Sequence, residues 1–293
     1  MTKQNKRTCP YCSNKGSYYL QFRSANYYRC SSCDLIYKEI KKSYFETVLK
    51  YRNYYYDNFA KTELMGKRDK LFIEILRLLE QKLKTGKILD VGTGCGFFLK
   101  FAQKRGWKAK GIDPSTKSVD IAKKNNLDVT LGTLKEFRSN EKFDIITFIN
   151  ALDHSAQPWK EIQLAKKLLK PDGFIFIRSP NGFLHSHILR LSSKIGMGNR
   201  ISNLLVFHEF SFTFKYIKRL LIDCGFSKVI IMNSPPSEGP YDHFSPRRLF
   251  EAFIGRFIYF MSGIIRALSL GHLISGSSLL IIASQNPSCK ITY

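Results

Sequence analysis

Residues 88–106, ILDVGTGCGFFLKFAQKRG, constrain this chain more than any other stretch. An apolar run reaches Asp90, glycines follow at 92, 94 and 96, and an amphipathic segment begins at once. Glycines in such a loop let the backbone turn sharply and let a ligand lie against bare main chain at a helix N-terminus. The dinucleotide fingerprint GxGxxG would need its third glycine at Phe97, whereas Gly96 comes one residue early. The loop therefore departs from the dinucleotide spacing.

The same strand-to-helix alternation continues. Strands are expected at 87–91, 109–112, 128–131, 143–149, 173–179, 228–233 and 278–284, and helices begin near Gly96, Thr116, Pro158 and Phe212. This pattern predicts an α/β fold, a doubly wound, Rossmann-like, seven-stranded and mostly parallel sheet. With 293 residues, 44% hydrophobic and 14% aromatic, the chain has the composition of a globular protein, and intrinsic disorder is excluded.

Four of the seven cysteines sit at the N-terminus as CPYC and CSSC, seventeen residues apart; Cys95, Cys224 and Cys289 are isolated. Two such pairs match a four-cysteine metal site, so residues 1–40 read as a small zinc ribbon with Cys9, Cys12, Cys30 and Cys33 as ligands. The tyrosine-rich segment between the pairs supplies the hairpin, with its turn at SAN, residues 24–26. All four ligands being thiolates, the zinc is structural, and iron in the same cage is the alternative. The odd cysteine count and the polar, basic residues 1–7 fit a reducing, cytoplasmic setting without a secretory signal.

Residues 41–84 form a basic, tyrosine-rich linker ending in an amphipathic helix over 70–83, where Leu71, Ile75, Leu78, Leu79 and Leu83 recur at helical spacing. Residues 85–293 form the main domain. Within it, residues 244–276 are an insertion before the last strand, and 247–270 is strongly amphipathic, with Phe and Ile on one side and arginines on the other. Arg256 and Arg266 interrupt it too soon for a bilayer span, leaving an interfacial helix at a membrane surface or a packed lid or dimer helix as readings. With 47 Lys and Arg against 23 acids, a net charge of +24 favours anionic partners, whether nucleic acid, acidic substrates or membrane.

The motif DxGxGxG from Asp90 to Gly96 resembles the first motif of class I S-adenosylmethionine-dependent methyltransferases. KGIDPS at Asp113, LGTLKEF, FDIITFINALDHSAQP, LKPDGFIFIRSPN and HEFSFTFKYIKRLLIDCGF follow in that family's order, so the resemblance covers roughly 54–286. It implies that Gly92, Gly94 and Gly96 meet the methionine end of the cofactor S-adenosylmethionine, with Asp90 reaching its amino group through water. It further implies that Asp113 holds the ribose, that Thr133 and Leu134 flank the adenine, and that Tyr54 or Tyr55 in the segment covering the cofactor is a lid. The resemblance also implies that Asn150 and Leu152 lie beside the transferred methyl, with Asp153-His154 where many relatives carry Glu-His.

For the acceptor, NALD at 150–153 departs from the NPPY-like motif of amino methyltransferases, and no cysteine nucleophile lies between Cys95 and Cys224. His154, His208, Glu209, His185 and His187 are the candidate bases, and His208, His154 and Asn150 are the expected catalytic residues. Ribbon and methyltransferase together resemble bacterial sugar C-methyltransferases, but the further C-terminal domain of those enzymes has no counterpart here, which leaves carbon and oxygen both open as the acceptor atom. The expected activity is methylation of a small-molecule or lipid-linked acceptor, foremost a sugar or glycan precursor. An RNA base methyltransferase is the alternative, and a non-catalytic zinc-ribbon binding module a lesser one.

Overall fold

The computed structural model describes residues 7–39, 68–235, 253, 257, 259–265, 267–269 and 274–287. The main sheet has the order β11-β12-β9-β8-β5-β6-β7, with the first βα crossover at its centre. Its strands are β5 (Lys87–Val91), β6 (Lys108–Asp113), β7 (Val129–Leu131), β8 (Phe143–Ile149), β9 (Leu169–Pro180), β11 (Lys228–Asn233) and β12 (Ser278–Ser284). All pairings from β7 to β9 are parallel, and β12 alone runs against its neighbours, pairing antiparallel with both β9 and β11. The seven expected strands are thus the seven observed.

These strands read as nearly unbroken apolar runs because both faces are covered. Leu89, Ile146, Ile175, Ile177, Leu279 and Ile281 enter one core. Their chain neighbours Ile88, Ile145, Phe174, Phe176, Leu280 and Ile282 enter the other. On the second face lie α1 (Asp69–Glu80), α2 (Phe97–Lys104) and α3 (Thr116–Lys124), with the rings of Phe72 and Phe98 5.8 Å apart. On the first lie α4 (Pro158–Leu168) and α7 (Phe214–Asp223), which begins two residues later than expected because the Thr213 hydroxyl caps it by accepting from Tyr216 N. Two further helices, α5 (Gly182–Lys194) and the single turn α6 (Gly198–Ile201), fill a stretch in which no element is expected from the pattern of residues.

The N-terminal unit is β1 (Arg7–Thr8), β2 (Lys15–Phe22), β3 (Ala25–Cys30) and β4 (Ile36–Lys38), extended by β10 (Phe210–Ser211) from the main domain. Its hairpin turns at Arg23 and Ser24, a residue earlier than the SAN reading, because Arg23 takes the left-handed backbone and Ala25 and Asn26 already pair in β3. The unit docks through Tyr11, whose ring lies 5.4 Å from that of Tyr216 and whose hydroxyl donates to Asp223 Oδ2 at 2.6 Å.

Helix α1 ends at Glu80, before the Thr85-Gly86 stop anticipated from the sequence. In the insertion, the described residues 253, 257, 259–265 and 267–268 are helical. Phe253, Phe257, Phe260, Ile264 and Leu268, spaced by three or four, are all exposed, while Ser262 on the opposite side is buried and its carbonyl accepts from Asn233 Nδ2 at 3.1 Å. No helix among the described residues is long and apolar enough to cross a membrane.

Candidate active site

The glycine loop leaves β5 at the centre of the sheet, where the crossover direction reverses and the strand ends open a crevice. Gly92 has φ +77°, and a Cβ there would stand 2.5 Å from Ala151 Cβ, so both conformation and space require glycine. Gly96, at φ +78°, starts α2 and would press a Cβ against Leu127. Asp113, at the end of β6, ties the loop down: its carboxylate accepts from Gly94 N and from Ser115 N, both at 2.8 Å. Burial pushes the Asp113 carboxyl up to about 6 against the pull of those two N–H bonds.

The pocket at this crevice is lined by Gly92, Asp113, Thr133, Leu134, Asn150 and His154, among others. Thr133 is held in its loop by Glu136, whose Oε2 accepts from both its N–H (2.8 Å) and its hydroxyl (3.0 Å). Asp90 is buried beside the pocket and accepts from Thr147 Oγ1 at 2.5 Å across β5 and β8. Gly94 and Gly96 hold the loop without lining that pocket. Tyr54 and Tyr55, with the rest of the expected cover, lie outside the described residues.

The far end of the pocket is built where β8 stops. Asn150 takes a left-handed φ of 54° and accepts at Oδ1 from Arg178 Nη1 at 2.6 Å. Arg178 is buried at the end of β9, where it also donates from Nε to Ser234 Oγ at 2.8 Å. Burial lowers its guanidinium to about 9, which leaves it cationic at neutral pH. The next residues, Leu152–His154, form a 3-10 turn that sets Asp153 inward and His154 at the pocket wall.

His208 reaches this turn from the loop before β10. Its ring lies 3.8 Å from that of His154, and its Nε2 is 3.5 Å from Asp153 Oδ2. Asp153 is buried, which raises its carboxyl despite the nearby His208 and Arg178, and both its oxygens stand outside hydrogen-bonding geometry. Glu161, on α4, also lines the pocket; burial raises it to about 7 and its Oε2 has no partner.

The other candidate bases are placed elsewhere. His185 is buried with Nε2 2.9 Å from Ser277 O, and burial lowers it to about 4, so it stays neutral. His187 Nδ1 lies 2.7 Å from Phe183 O. Glu209 faces Lys38 at 3.9 Å, and its carbonyl accepts from Lys38 N. Sequence reasoning did not single out Arg178 or Glu161. Arg178 carried a readable signal, a lone charge in the apolar strand FIFIRSP, whereas Glu161 looks like any surface helix residue.

The ribbon reaches this site. Strand β4 pairs with β10 at Tyr37 and Phe210, the Tyr27 hydroxyl donates to His208 O at 3.1 Å, and Phe207 packs its ring 4.7 Å from Phe22 and 5.3 Å from Tyr27. The loop that carries His208 is therefore held by the N-terminal hairpin. Within the ribbon, Cys9 and Cys33 Sγ are 3.6 Å apart, Cys12 and Cys30 Sγ 3.5 Å, and all four lie within 4.8 Å of one another. Tetrahedral zinc with sulfur ligands at about 2.3 Å spaces them by about 3.8 Å. The four cysteines fit a zinc ribbon.

Comparisons with known proteins bear on the family and the fold. The profile of a family described as "Methyltransferase domain" matches residues 65–229, more than half of the chain. A ubiquinone biosynthesis O-methyltransferase from Actinobacillus pleuropneumoniae serotype 7 (strain AP76) is 36% identical over 115 residues, covering 35% of this chain and 49% of that protein. One from Pelagibacter ubique (strain HTCC1062) is 30% identical over 122 residues, covering 40% and 51%. The chain thus spans about half the length of these curated relatives. Among solved structures, a chain from the complex of the Haloferax volcanii Trm112 methyltransferase activator with a methyltransferase is 17% identical, with a TM-score of 0.53, covering 80% of this chain and 97% of that one. A SAM-dependent methyltransferase from Archaeoglobus fulgidus is 18% identical, with a TM-score of 0.50, covering 79% and 99%. At these identities the two structures speak for the fold alone.

Proposed function

The chain belongs to the class I S-adenosylmethionine-dependent methyltransferases, and from that premise we propose that it methylates a hydroxyl of a small, lipid-linked acceptor. The observation that carries this reading is the Asp153, His154 and His208 cluster at the end of the cofactor pocket where β8 stops. When bound, S-adenosylmethionine supplies an electrophilic methyl; the acceptor oxygen's lone pair forms the new O–C bond as the S–C bond breaks, and the sulfonium leaves as a neutral thioether. Asp113 is the group for the ribose hydroxyls, Gly92 opens the backbone for the methionine end, and Thr133 and Leu134 form the adenine wall. Asp90, fixed by Thr147, backs the loop. Positioning dominates such a displacement, and Asn150, locked by Arg178, sets the edge of the acceptor space. The side chains set at the acceptor hydroxyl are His154 and His208.

The relatives named for ubiquinone biosynthesis favour the lipid-linked arm of the acceptor class over a sugar or glycan precursor, and oxygen over carbon as the acceptor atom. The exposed stripe Phe253, Phe257, Phe260, Ile264 and Leu268, in a chain of net charge +24, suits peripheral contact with an anionic membrane surface on the cytoplasmic side. The ribbon cysteines would hold a structural zinc, which would cross-link the two cysteine pairs. The test is to incubate the protein with methyl-labelled S-adenosylmethionine and a whole-cell extract and then partition the products. Label in the organic-soluble fraction, lost in His208→Gln, supports the reading; label confined to RNA overturns it in favour of the nucleic-acid alternative.

A further inference from the structure

Beside the ribbon, the described residues bring a second group of potential ligands together: Asp153, His154 and His208, whose ligand atoms all lie within 4.8 Å of one another. Three facts set this group apart from an ordinary histidine and carboxylate contact. Two imidazoles stand with ring centroids 3.8 Å apart, an arrangement in which a proton on both would be repelled. The Asp153 carboxylate between strand end and loop is buried, yet neither oxygen is in hydrogen-bonding geometry, and His208 Nε2 stands off at 3.5 Å. A buried carboxyl whose nearest donors, Ser179 and His208, stand outside hydrogen-bonding geometry is costly to ionise unless a cation completes it. The group also opens onto the cofactor pocket, since His154 is part of its wall.

We propose that Asp153, His154 and His208 bind a divalent first-row metal ion of the zinc and cobalt type at the acceptor end of the pocket. Two imidazoles and one carboxylate suit such ions better than they suit calcium or magnesium. Bonds of about 2.0–2.2 Å space ligand atoms by roughly 3.0–3.5 Å, which His208 and Asp153 already meet and which small ring rotations of the half-buried histidines bring to His154. Three protein ligands leave a position open, as catalytic rather than structural sites do. In this role the imidazoles serve as ligands. The acceptor hydroxyl enters the open position, its oxygen gives up its proton to solvent, and the resulting alkoxide lone pair forms the O–C bond as the S–C bond breaks. The inference rests on the acceptor reading given above, which places the hydroxyl at this cluster.

Calorimetric titration with cobalt(II) of full-length protein that carries a single zinc per chain, in the ribbon, together with proton magnetic resonance, tests the inference apart from turnover. One cobalt(II) ion per chain is expected, with hyperfine-shifted imidazole N–H resonances. His154→Gln and His208→Gln should each weaken the ion by roughly tenfold or more, with S-adenosylmethionine binding retained. Asp153→Asn should do the same; the two histidine variants keep the test decisive should that buried substitution impair folding. No cobalt(II) binding, or binding unchanged in both histidine variants, overturns the metal site while leaving the acceptor reading intact. Binding as expected, with methyl label only in RNA, sinks the acceptor reading instead.

Discussion

Glu161 lines the cofactor pocket with one carboxylate oxygen unpartnered, and burial raises it from 4.5 to about 7. A carboxyl raised on folding favours the folded state below its unfolded value, and that contribution is lost as pH rises through the folded value. Between about pH 4.5 and 7 the unliganded protein should therefore lose up to about 3 kcal/mol at this residue. Glu161→Gln should raise the denaturation midpoint at pH 8 and leave it nearly unchanged at pH 4.5; equal midpoints at pH 8 would contradict the assigned burial cost. At this scale the sequence was readable wherever chemistry is tied to a motif. Asp113, Gly92 and Asn150 stand at fixed offsets from strand ends, so the strand pattern located them. Arg178 and Glu161 owe their roles to burial, which depends on what packs over them and leaves no spacing to read.

The two-residue strand β10 links elements otherwise treated as separate. Through its pairing with β4 and the Tyr27 bond to the His208 carbonyl, the ribbon sets where His208 stands. Cys33→Ser should release the ribbon metal and loosen this loop. Cofactor affinity should change little, because Asp113 and the glycine loop belong to the other sheet. Methyl transfer should fall by about 10–100-fold, the scale of a misplaced catalytic group. Unchanged transfer in metal-free Cys33→Ser would mean that the ribbon does not position His208. The seven main strands were legible because parallel strands covered on both faces are continuous apolar runs. Helix α5 was not, since its buried side, Gly182, His185, Ser186, Leu189 and Ser192, is mostly small or polar and carries little hydrophobic period. Strand β10 escaped as well, its partner lying more than 170 positions earlier in the chain.

Across the whole molecule, a net charge of +24 and an exposed aromatic stripe on the insertion helix call for different partners under different conditions. Binding to anionic vesicles should survive moderate salt in part, because burial of each large apolar side chain is worth about 1.5–3 kcal/mol whatever the ionic strength. Phe257→Glu combined with Phe260→Glu should abolish it while cofactor binding persists. Steep loss of wild-type vesicle binding with salt, indistinguishable from that of a phosphate-held RNA complex, would remove the apolar stripe from the account.

Whether the crevice closed by the glycine loop and Asp113 holds S-adenosylmethionine is decided by calorimetric titration of the full-length protein. One S-adenosylmethionine bound per chain is expected, with no binding of NAD and a loss of about 1.5–3 kcal/mol in Asp113→Ala from removing a charged hydrogen-bond acceptor. A wild-type protein that ignores S-adenosylmethionine and takes up NAD, or an Asp113→Ala variant that binds the cofactor as tightly as wild type, would contradict it.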